Sequence, residues 1–322
     1  MKAIVQDRFG AADVLQLREI DRPAFKETEV LVRVRAASVN PADWAFMQGV
    51  PNIGRFVFGW RKPRIRVRGI DLAGTVEGVG AGVTGFAPGD EVFGQGTGAF
   101  AEYATATPER LVPKPSNLTF EQAAAVPMAA LCALQALRAG HVEAGQKVLI
   151  IGAGGGIGTF AVQIAKSLGA TVTGVCGPSK VDLVRSLGAD RVVDYTAEDF
   201  AAGDERYDFI LDNVSNRSLA DLRRVLVRKG TLIPNSGQFY HRRIGPMGRF
   251  MRAMLMSPFV SQTIHPVSSS ANRKDLTAIA ELIEAGQVRP VIDRTYPLAS
   301  AADAMRYLGE GHVGGKVVVT VA

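Results

Sequence analysis

Residues 147–158 read Lys147-Val148-Leu149-Ile150-Ile151-Gly152-Ala153-Gly154-Gly155-Gly156-Ile157-Gly158, and this stretch decides the fold of the 322-residue chain. Its first five residues predict a short buried strand, and the glycines follow that strand directly. Residues 159–168 carry apolar side chains at helical spacing and include no helix breaker. A strand, a glycine turn and a helix in this order indicate dinucleotide binding.

The glycine spacing in this turn is a variant of the usual dinucleotide-binding pattern. It reads Gly152-x-x-Gly155-x-x-Gly158, because Ile157 stands where G-x-G-x-x-G has its last glycine. A pyrophosphate that accepts N–H groups at a helix N-terminus must approach the backbone closely, and a Cβ atom there would block it. We therefore predict cofactor contacts at six positions of the turn: Gly152, Gly154, Gly155, Gly156, Ile157 and Gly158.

Composition and charge are typical of a soluble globular protein that is long enough for two domains. Hydrophobic residues make up 47%, charged residues make up 21%, and the formal net charge is +6. That charge suits an anionic cofactor, and it leaves nucleic acid or an anionic membrane surface open as partners. The only cysteines are Cys132 and Cys176, and the N-terminus has no apolar signal core. Because no apolar run spans a membrane either, we expect a cytoplasmic protein.

The chain changes in character near residue 120. Before it, β-branched alternation punctuated by Gly and Pro predicts a compact β-rich domain. After it, helices at 121–128 and 131–137 precede the strand 147–151, and further strands and helices alternate. This order predicts an α/β fold with a doubly wound parallel sheet and right-handed crossovers. We expect strand 171–175, helix 180–187, strands 191–195 and 209–212, helix 218–227 and strand 230–233, and then a return to the first domain through helix 275–284 and strand 316–321.

Several motifs give the chain a resemblance that runs nearly end to end. It is similar to the zinc-free, quinone oxidoreductase-like members of the medium-chain dehydrogenase/reductase family in Ala37–Asp43, Pro88–Val92, Gly98–Tyr103, the glycine turn and Gly315–Val318. Three segments resemble the branch that includes the reticulon-4-interacting NADPH oxidoreductases: Ile210–Val214, Arg289–Ile292 and Gly311–His312. These motifs are specific for fold and cofactor class and weak for substrate.

The resemblance implies a Rossmann-type NADPH-binding domain at 122–267 and a β-rich GroES-like catalytic domain at 1–121 and 268–322. It also implies a homodimer, and an enzyme that transfers hydride from NADPH to a small apolar quinone or another electron-poor conjugated carbonyl. An enoyl or enone C=C reductase is the nearest enzymatic alternative. The alternative from another class is a non-catalytic NADPH-binding sensor or a crystallin-like protein that binds RNA.

No metal is expected. In the zinc-dependent relatives, a metal-binding Cys stands at the position of Asn40, and a Gly-His-Glu motif stands at the position of Gly69-Ile70-Asp71. Without a Lewis acid to lower the pKa of an alcohol, direct alcohol oxidation is disfavoured, and hydride donation to a quinone or an enone remains. Zinc needs three or four converging ligands, and the histidines lie in unrelated segments, at His141, His241, His265 and His312.

The end of the second predicted strand favours NADPH over NADH. An NAD site carries Asp or Glu about 20 residues after the glycines, and the segment Val175–Lys180 contains no acid. Next to Gly177, a 2′-phosphate would find a donor in Ser179 and a counter-charge in Lys180. In the family, the tyrosine that matches Tyr195 also reaches this phosphate. Alternatively, Ser179 is a helix N-cap and Lys180 lies on a solvated face.

The nicotinamide half of the cofactor is expected at the carboxyl edge of the sheet, where doubly wound folds bind ligands. The resemblance places Asn213, Ser236 and Gly237 there, after the fourth and fifth strands. It also matches Gly311 and His312 to family cofactor contacts from the other domain. Asn213 can equally be a turn-capping residue, and His312 can be a surface histidine.

Asn40 is the best candidate to hydrogen-bond a substrate carbonyl or a cofactor ribose. Asp43 can orient a neighbour or relay a proton through water, or it can be the N-cap of residues 44–47. Trp44 stands near a position where many family members carry a tyrosine. Trp44 and Tyr103 are the candidate substrate contacts, although a tyrosine in an alternating strand is more often a core residue. A quinone needs no dedicated acid, because water can protonate its reduced oxygen.

Two basic stretches stand apart from these motifs. Residues 55–68 hold six Lys or Arg and three aromatic residues without an acid, a composition that nucleic-acid and anionic surfaces attract. We favour a solvated loop whose aromatic residues cover the substrate, and no nucleic-acid partner is expected. Residues 246–256 predict a Met-rich basic amphipathic helix. It is interpreted as a core-facing helix, as a pliable lid over an apolar acceptor, or as a weak contact with a membrane surface.

Overall fold

The computed structural model describes residues 1–50, 52, 55, 59–235, 247–256 and 260–321. The chain forms two compact units. The first unit comprises Met1–Leu131, Ser270–Gly286 and Pro290–Ala322, and the second comprises Cys132–Ser269 and Gln287–Arg289. The predicted α/β class, with a doubly wound parallel sheet and a separate β-rich unit, is confirmed.

In chain order, the strands of the described residues are β1 (Lys2–Gln6), β2 (Leu15–Glu19), β3 (Val30–Val39), β4 (Asp71–Val79), β5 (Glu91–Gln95), β6 (Tyr103–Ala106), β7 (Leu111–Pro113), β8 (Lys147–Ile151), β9 (Thr171–Cys176), β10 (Arg191–Asp194), β11 (Tyr207–Asp212), β12 (Leu226–Pro234), β13 (Thr263–Ile264), β14 (Ile292–Pro297) and β15 (Lys316–Thr320). The α-helices are α1 (Pro41–Gln48), α2 (Phe120–Ala124), α3 (Pro127–Ala139), α4 (Gly156–Ser167), α5 (Val181–Ser186), α6 (Leu219–Arg224), α7 (Met247–Met256), α8 (Arg273–Glu284) and α9 (Ala301–Gly309). In the part of the chain that the structure describes, no helix combines the length and the apolar character needed to cross a bilayer.

A seven-stranded sheet organises the first unit in the order β14-β15-β3-β4-β5-β7, with β6 paired to β3. Its inward side chains pack in one core that includes Val32, Leu72 and Val317, as the alternation of β-strands requires. Strand β3 leads directly into α1 through Asn40. Because Val317 pairs with Val39 in antiparallel register, the sheet places Lys316 opposite Asn40.

A six-stranded parallel sheet organises the second unit in the order β10-β9-β8-β11-β12-β13. The chain leaves β8 toward β9 and β10, and it then returns to the other side of β8 with β11. Four of the strands, β8 to β11, end directly before Gly152, Gly177, Tyr195 and Asn213. Parallel strands end at one edge of the sheet, so this edge collects the residues expected to hold a ligand.

The helix predicted at 218–227 is too long. It ends at Arg224, and strand β12 begins four residues earlier than the predicted 230–233. The cause is a tertiary pairing, because the Tyr207 N–H donates to the Val225 carbonyl oxygen at 2.8 Å and Leu226 pairs with Tyr207. Apolar periodicity alone does not distinguish these residues from the last turn of a helix.

The prediction of a helix at 121–128 is also wrong at its C-terminal end. Helix α2 stops at Ala124, and α3 starts afresh at Pro127. Proline has no N–H to continue a helix, and it disfavours the helical conformation in the residue before it. The start of α2 follows its sequence signal, because Thr119 and Gln122 form a capping box.

Candidate functional site

The turn between β8 and α4 requires glycine because two backbone segments touch there. A Cβ atom on Gly158 would lie 2.1 Å from the Gly152 carbonyl oxygen. Gly152 itself has a φ of +77°, in the left-handed region that other residues disfavour. The first turn of α4 therefore packs directly against the end of β8.

The start of α4 offers backbone N–H groups to an anion. The N-cap residue Gly155 is extended and has no side chain with which to cap the first turn. The helix dipole adds partial positive charge at the same end. The structure brings the predicted contacts Gly154, Gly156 and Ile157 together around this N-cap. The turn is a cradle that can accept a phosphate group.

The residues predicted for the ribose phosphate converge where β9 and β10 end. Ser179 and Lys180 lie in a short 3-10 helix after β9. The Lys180 side chain lies against the glycine turn. A Cβ atom added to Gly154 would be 2.8 Å from both the Cβ and the Cδ atom of Lys180. The Tyr195 hydroxyl lies 3.3 Å from the place of a Cβ on Gly177, and Tyr195 is 57% exposed. The Lys180 side chain therefore lies beside Gly154 and the Tyr195 hydroxyl lies beside Gly177, at the ends of β8 and β9.

Asn213 has a buried polar atom that lacks a partner. Its backbone N–H donates to the Ile151 carbonyl oxygen at 3.2 Å, and its Oδ1 accepts from Asn235 Nδ2 at 2.9 Å. Its own Nδ2 is buried, and among the described residues it has no hydrogen-bond partner. Such an atom costs free energy unless a ligand or another group satisfies it. Asn235, which the sequence analysis missed, lies on the same edge because it follows β12.

The turn after β11 is capped by Asp212 and not by Asn213. The Asp212 carboxylate accepts the N–H groups of Val214 and Ser215 at 3.1 and 2.8 Å. The alternative interpretation of Asn213 as the turn-capping residue is therefore wrong, and its amide is available to a ligand.

The remaining predicted cofactor residues follow strand β12 and helix α9 in the chain. Ser236 and Gly237 lie outside the described residues. Gly311 and His312 belong to the first unit, in a turn where the Gly311 N–H donates to the Leu308 carbonyl oxygen at 3.1 Å. His312 is exposed there, as expected of a surface histidine.

Asn40 lies at the centre of a buried polar cluster in the first unit. It is 2% exposed and is the N-cap residue of α1. Its Oδ1 accepts from the ammonium of Lys316, and its Nδ2 donates to Asp71 at 3.0 Å and to the Ser38 carbonyl oxygen at 3.4 Å. Both ends of the amide are therefore engaged, which fixes its orientation.

Asp71 is the acceptor that holds this cluster together. It takes hydrogen bonds from Asn40, from Ser38 Oγ at 3.1 Å, from Gln95 Nε2 at 3.0 Å and from the Met128 N–H at 3.1 Å. The Lys316 ammonium lies 3.9 Å from the carboxylate. Burial raises the pKa of Asp71, and Lys316 and the donors oppose that rise. Asp71 and Lys316 were not identified as site residues, because they reach Asn40 from distant parts of the chain.

Asp43 lies in the first turn of α1 and is not its N-cap. Its carboxylate accepts the Asn40 N–H at 3.0 Å, so the interpretation of Asp43 as the cap of residues 44–47 is wrong. Burial, followed by the charge of Asp71, raises the pKa of Asp43 to about 7, although Lys316 opposes this. The buried Arg68 guanidinium also acts electrostatically on Asp43. A carboxyl group with this pKa can hold or release a proton at neutral pH.

The two predicted substrate contacts lie in different places. Trp44 is half-buried, packs against the core and places its Nε1 atom 3.0 Å from the position of a Cβ on Gly309. Tyr103 is buried on β6 opposite Arg33, with the Arg22 guanidinium 4.1 Å above its ring. Arg33 and Asn40 are seven residues apart along β3, or about 23 Å in an extended strand. The structure therefore brings Trp44, but not Tyr103, into the neighbourhood of Asn40.

The side chains of the cluster do not fit a zinc ion. Zinc takes His, Cys or carboxylate ligands in tetrahedral geometry, whereas here an ammonium occupies the space among the oxygen atoms of Val39, Asn40 and Asp71. Within the ranges that the structure describes, no group of three or more His, Cys, Asp or Glu side chains could hold a metal ion.

Comparison with known proteins gives consistent matches along the chain. Residues 26–116 match the family model described as an alcohol dehydrogenase GroES-like domain, and residues 187–319 match the one described as a zinc-binding dehydrogenase. The chain is 33% identical to the mitochondrial NAD(P)H oxidoreductase RTN4IP1 of Mus musculus, over all of this chain and 89% of that protein. It is also 33% identical to the chloroplastic NADPH-dependent alkenal/one oxidoreductase of Arabidopsis thaliana, over 99% of this chain and 79% of that protein. The structure of the quinone oxidoreductase from Coxiella burnetii superposes with a TM-score of 0.87 at 29% identity, covering 100% and 99% of the two chains.

We predict that Lys316→Met destabilises the protein by about 3–5 kcal/mol, because it leaves the buried Asp71 without its cation. The double variant Lys316→Met/Asp71→Asn should recover about 1–3 kcal/mol of that loss, since the neutral amide removes the uncompensated charge. Urea unfolding measures both values. Lys166→Met is the matched control, because its 2.8 Å pair with Asp190 lies at the surface and should contribute about 0–1 kcal/mol. Equal losses for Lys316→Met and Lys166→Met would contradict the buried role.

We also predict that Asp43 makes stability depend on pH. Because its pKa is raised from 3.8 to about 7 on folding, the folded protein retains a proton that the unfolded chain releases between these values. The free energy of unfolding should then fall as the pH rises from about 4 to about 7, by on the order of 4 kcal/mol if Asp43 titrates alone. Asp43→Asn should lose this part of the pH dependence, as measured by urea unfolding at several pH values. Parallel curves for the two proteins would rule the assignment out.

Proposed function

The chain belongs to the medium-chain dehydrogenase/reductase family, in its quinone oxidoreductase-like group, and from this we propose that it is a zinc-independent reductase that uses NADPH to reduce a quinone or another electron-poor conjugated carbonyl. The observation that carries the proposal is the ligand edge of the second unit. There, the glycine turn, the Lys180 and Tyr195 side chains and the unpartnered Asn213 Nδ2 surround the ends of parallel strands.

The residues at this edge fit a nicotinamide dinucleotide. The glycine turn and the first turn of α4 would hold the pyrophosphate, and Asn213 Nδ2, which has no hydrogen-bond partner among the described residues, would donate to the cofactor. The bound cofactor supplies a hydride for the acceptor. Ser236, Gly237, Gly311 and His312 remain proposed contacts of its nicotinamide half.

NADPH is proposed in preference to NADH because of the charges at the end of β9. A ribose 2′-hydroxyl is normally recognised by an acidic residue at this point, and the side chains here are a hydroxyl, an ammonium and a phenol. Ser179 and Tyr195 can donate hydrogen bonds to a 2′-phosphate, while Lys180 supplies a positive charge.

In the first unit, Asn40 is proposed to act as a positioning residue. Both ends of its amide are engaged by Lys316, Asp71 and Ser38, so it fixes the start of α1 and orients Asp43 through the Asn40 N–H. Asp43 is proposed to hold the proton that reduction of a C=C bond requires in addition to hydride. Trp44, in the same helix, is the proposed substrate contact.

The proposal also includes an alternative substrate class, a compartment and an oligomeric state. An enone or enoyl reductase would use the same hydride and would depend on Asp43 for its proton, and the similarity to an alkenal/one oxidoreductase favours keeping it as the alternative. We also propose a cytoplasmic homodimer. Cys132 and Cys176 do not form a disulfide, which suits a reducing compartment, and the family resemblance supports the dimer.

We predict that Lys180→Ala raises the Kd for NADPH about tenfold, because a charge-assisted contact with the 2′-phosphate is lost. The Kd for NADH should stay within about twofold, since NADH lacks that phosphate. Quenching of cofactor fluorescence measures both constants. Arg185→Ala is the matched control, because Arg185 is an exposed cation of the next helix and bonds Asp182 at 2.8 Å. If Lys180→Ala weakens both cofactors equally, the assignment of Lys180 to the 2′-phosphate fails.

We predict NADPH oxidation with a panel of quinones, enones and enoyl thioesters, with the highest kcat/KM for quinones. NADPH absorbance follows the reaction, and a chelator should leave the rate unchanged. A higher kcat/KM for enones would favour the C=C reductase. Tight NADPH binding without turnover on any acceptor would overturn the enzymatic proposal and favour a non-catalytic binder.

A further inference from the structure

The positive charge of the chain is concentrated in one segment. Residues 222–274 contain ten Lys or Arg and no Asp or Glu, whereas the whole chain carries a net charge of only +6. The described part of this segment belongs mainly to the second unit, and it includes the end of α6, strand β12 and helix α7. Arg224, Arg228, Lys229 and Arg252 are all exposed.

Helix α7 presents apolar side chains to solvent within this basic segment. Met251 is 56% exposed and Leu255 is 69% exposed, and they lie four residues apart on one face. Ala253, about 200° around the helix axis from Met251, is fully buried in the core that also contains Leu222 and Leu232. The helix is therefore seated on the sheet through one face and leaves Met251, Arg252 and Leu255 outside.

Hydrogen bonds tie the basic end of α6 to the chain that follows α7. The Arg223 Nε donates to Gln262 Oε1 at 2.9 Å, and Gln262 Nε2 donates to the Arg223 carbonyl oxygen at 2.9 Å. Leu222 and Ala253 belong to the same core cluster. Helices α6 and α7 are thus packed on the same core of the second unit.

We propose that helix α7 docks on an anionic lipid surface, with Met251 and Leu255 in the interface and Arg252 and the neighbouring cations on the lipid phosphates. An amphipathic helix with basic residues around an apolar face binds membranes in this way. Each cation near an anionic leaflet adds attraction that falls with salt. Two apolar side chains and a few cations give weak, reversible binding. The proposal does not depend on the reaction that the protein catalyses.

Charge argues against one other occupant of this face, and the lack of stacking residues argues against a second. A second copy of the chain seated on this face by two-fold symmetry would bring two segments of the same positive charge together. Nucleic acid would use aromatic side chains for stacking, and the exposed apolar residues described on this helix are Met251 and Leu255, which have no ring to stack.

The basic stretch in the first unit is an internal control. Trp60 is 62% exposed and Ile65 is 53% exposed, with the exposed cations Arg61, Lys62 and Arg64 around them. Arg66 bonds Asp7 at 2.8 Å and Arg68 is buried, so Arg61, Lys62 and Arg64 are the exposed cations that this stretch can offer to a surface. Phe56 and Phe58 lie outside the described residues.

The test is co-sedimentation of the full-length protein with vesicles of phosphatidylglycerol and phosphatidylcholine in equal parts. We expect binding at low salt that falls at high salt and is absent with phosphatidylcholine alone. Met251→Ser/Leu255→Ser should weaken binding about tenfold or more, because the apolar contacts are lost. Arg252→Gln should weaken it about fivefold. These residues are exposed, so folding and NADPH binding, which are measured in parallel, should not change.

The matched control is Trp60→Ser/Ile65→Ser, which removes two exposed apolar side chains from the other basic stretch. It should stay within about twofold of the wild-type vesicle affinity, because it leaves the side chains of α7 unchanged. Equal loss in both double variants, equal binding to uncharged vesicles, or no binding to anionic vesicles would overturn the proposal. Conversion of a dimer into monomers by Met251→Ser/Leu255→Ser, seen by light scattering without vesicle binding, would assign the face to a second copy instead.

Discussion

The contact between Gly158 and the Gly152 carbonyl oxygen is the constraint on which the second unit depends. A Cβ atom at Gly158 would come within 2.1 Å of that oxygen, so only glycine lets α4 start so close to the end of β8. The close approach points the positive end of the helix dipole at the edge where β9, β10 and β11 also end. Gly177, Tyr195 and Asn213 reach the same edge because the strands are parallel. The backbone contact thus sets where α4 begins, and the parallel sheet brings the other residues to the same edge.

The first unit differs from the second because it contains a buried ion pair, Asp71 and Lys316. Asp71 is fully buried and Lys316 is 3% exposed, and a buried ion pair often contributes little net stability, since desolvation offsets the attraction. Its effect here is on geometry: Lys316 and Asp71 engage the two ends of the Asn40 amide, and Asn40 in turn bonds the Asp43 carboxylate. The resulting site is buried and held by hydrogen bonds, and it includes a carboxyl group whose pKa is raised to about 7. Such a site suits an acceptor that needs positioning and at most one proton, as in the proposed reduction of a quinone or an enone.

Most of the positive charge of the chain lies away from the predicted phosphate site. The pyrophosphate cradle is built from backbone N–H groups, so it needs few cationic side chains, and Lys180 lies outside the segment 222–274. The segment therefore has positive charge beyond what the cradle uses, and its exposed Arg252 lies on α7 beside the exposed apolar residues Met251 and Leu255. A reductase of apolar acceptors that docked on a lipid surface would meet its substrates where they dissolve.

The sequence by itself determined the fold class, the strand at 147–151 and the glycine turn, because strand, turn and helix are neighbours in the chain and each has a local signature. Only the tertiary structure decided where α6 ends, since its last turn competes with a pairing to Tyr207, and only the structure identified Asn235 through the edge that β12 shares. It also decided the cluster around Asn40, whose partners Asp71 and Lys316 are 31 and 276 residues away. The protonation of Asp43 follows from the same cause: a carboxyl group that looks ordinary in the sequence has its pKa raised by burial, and burial is a property of the whole fold.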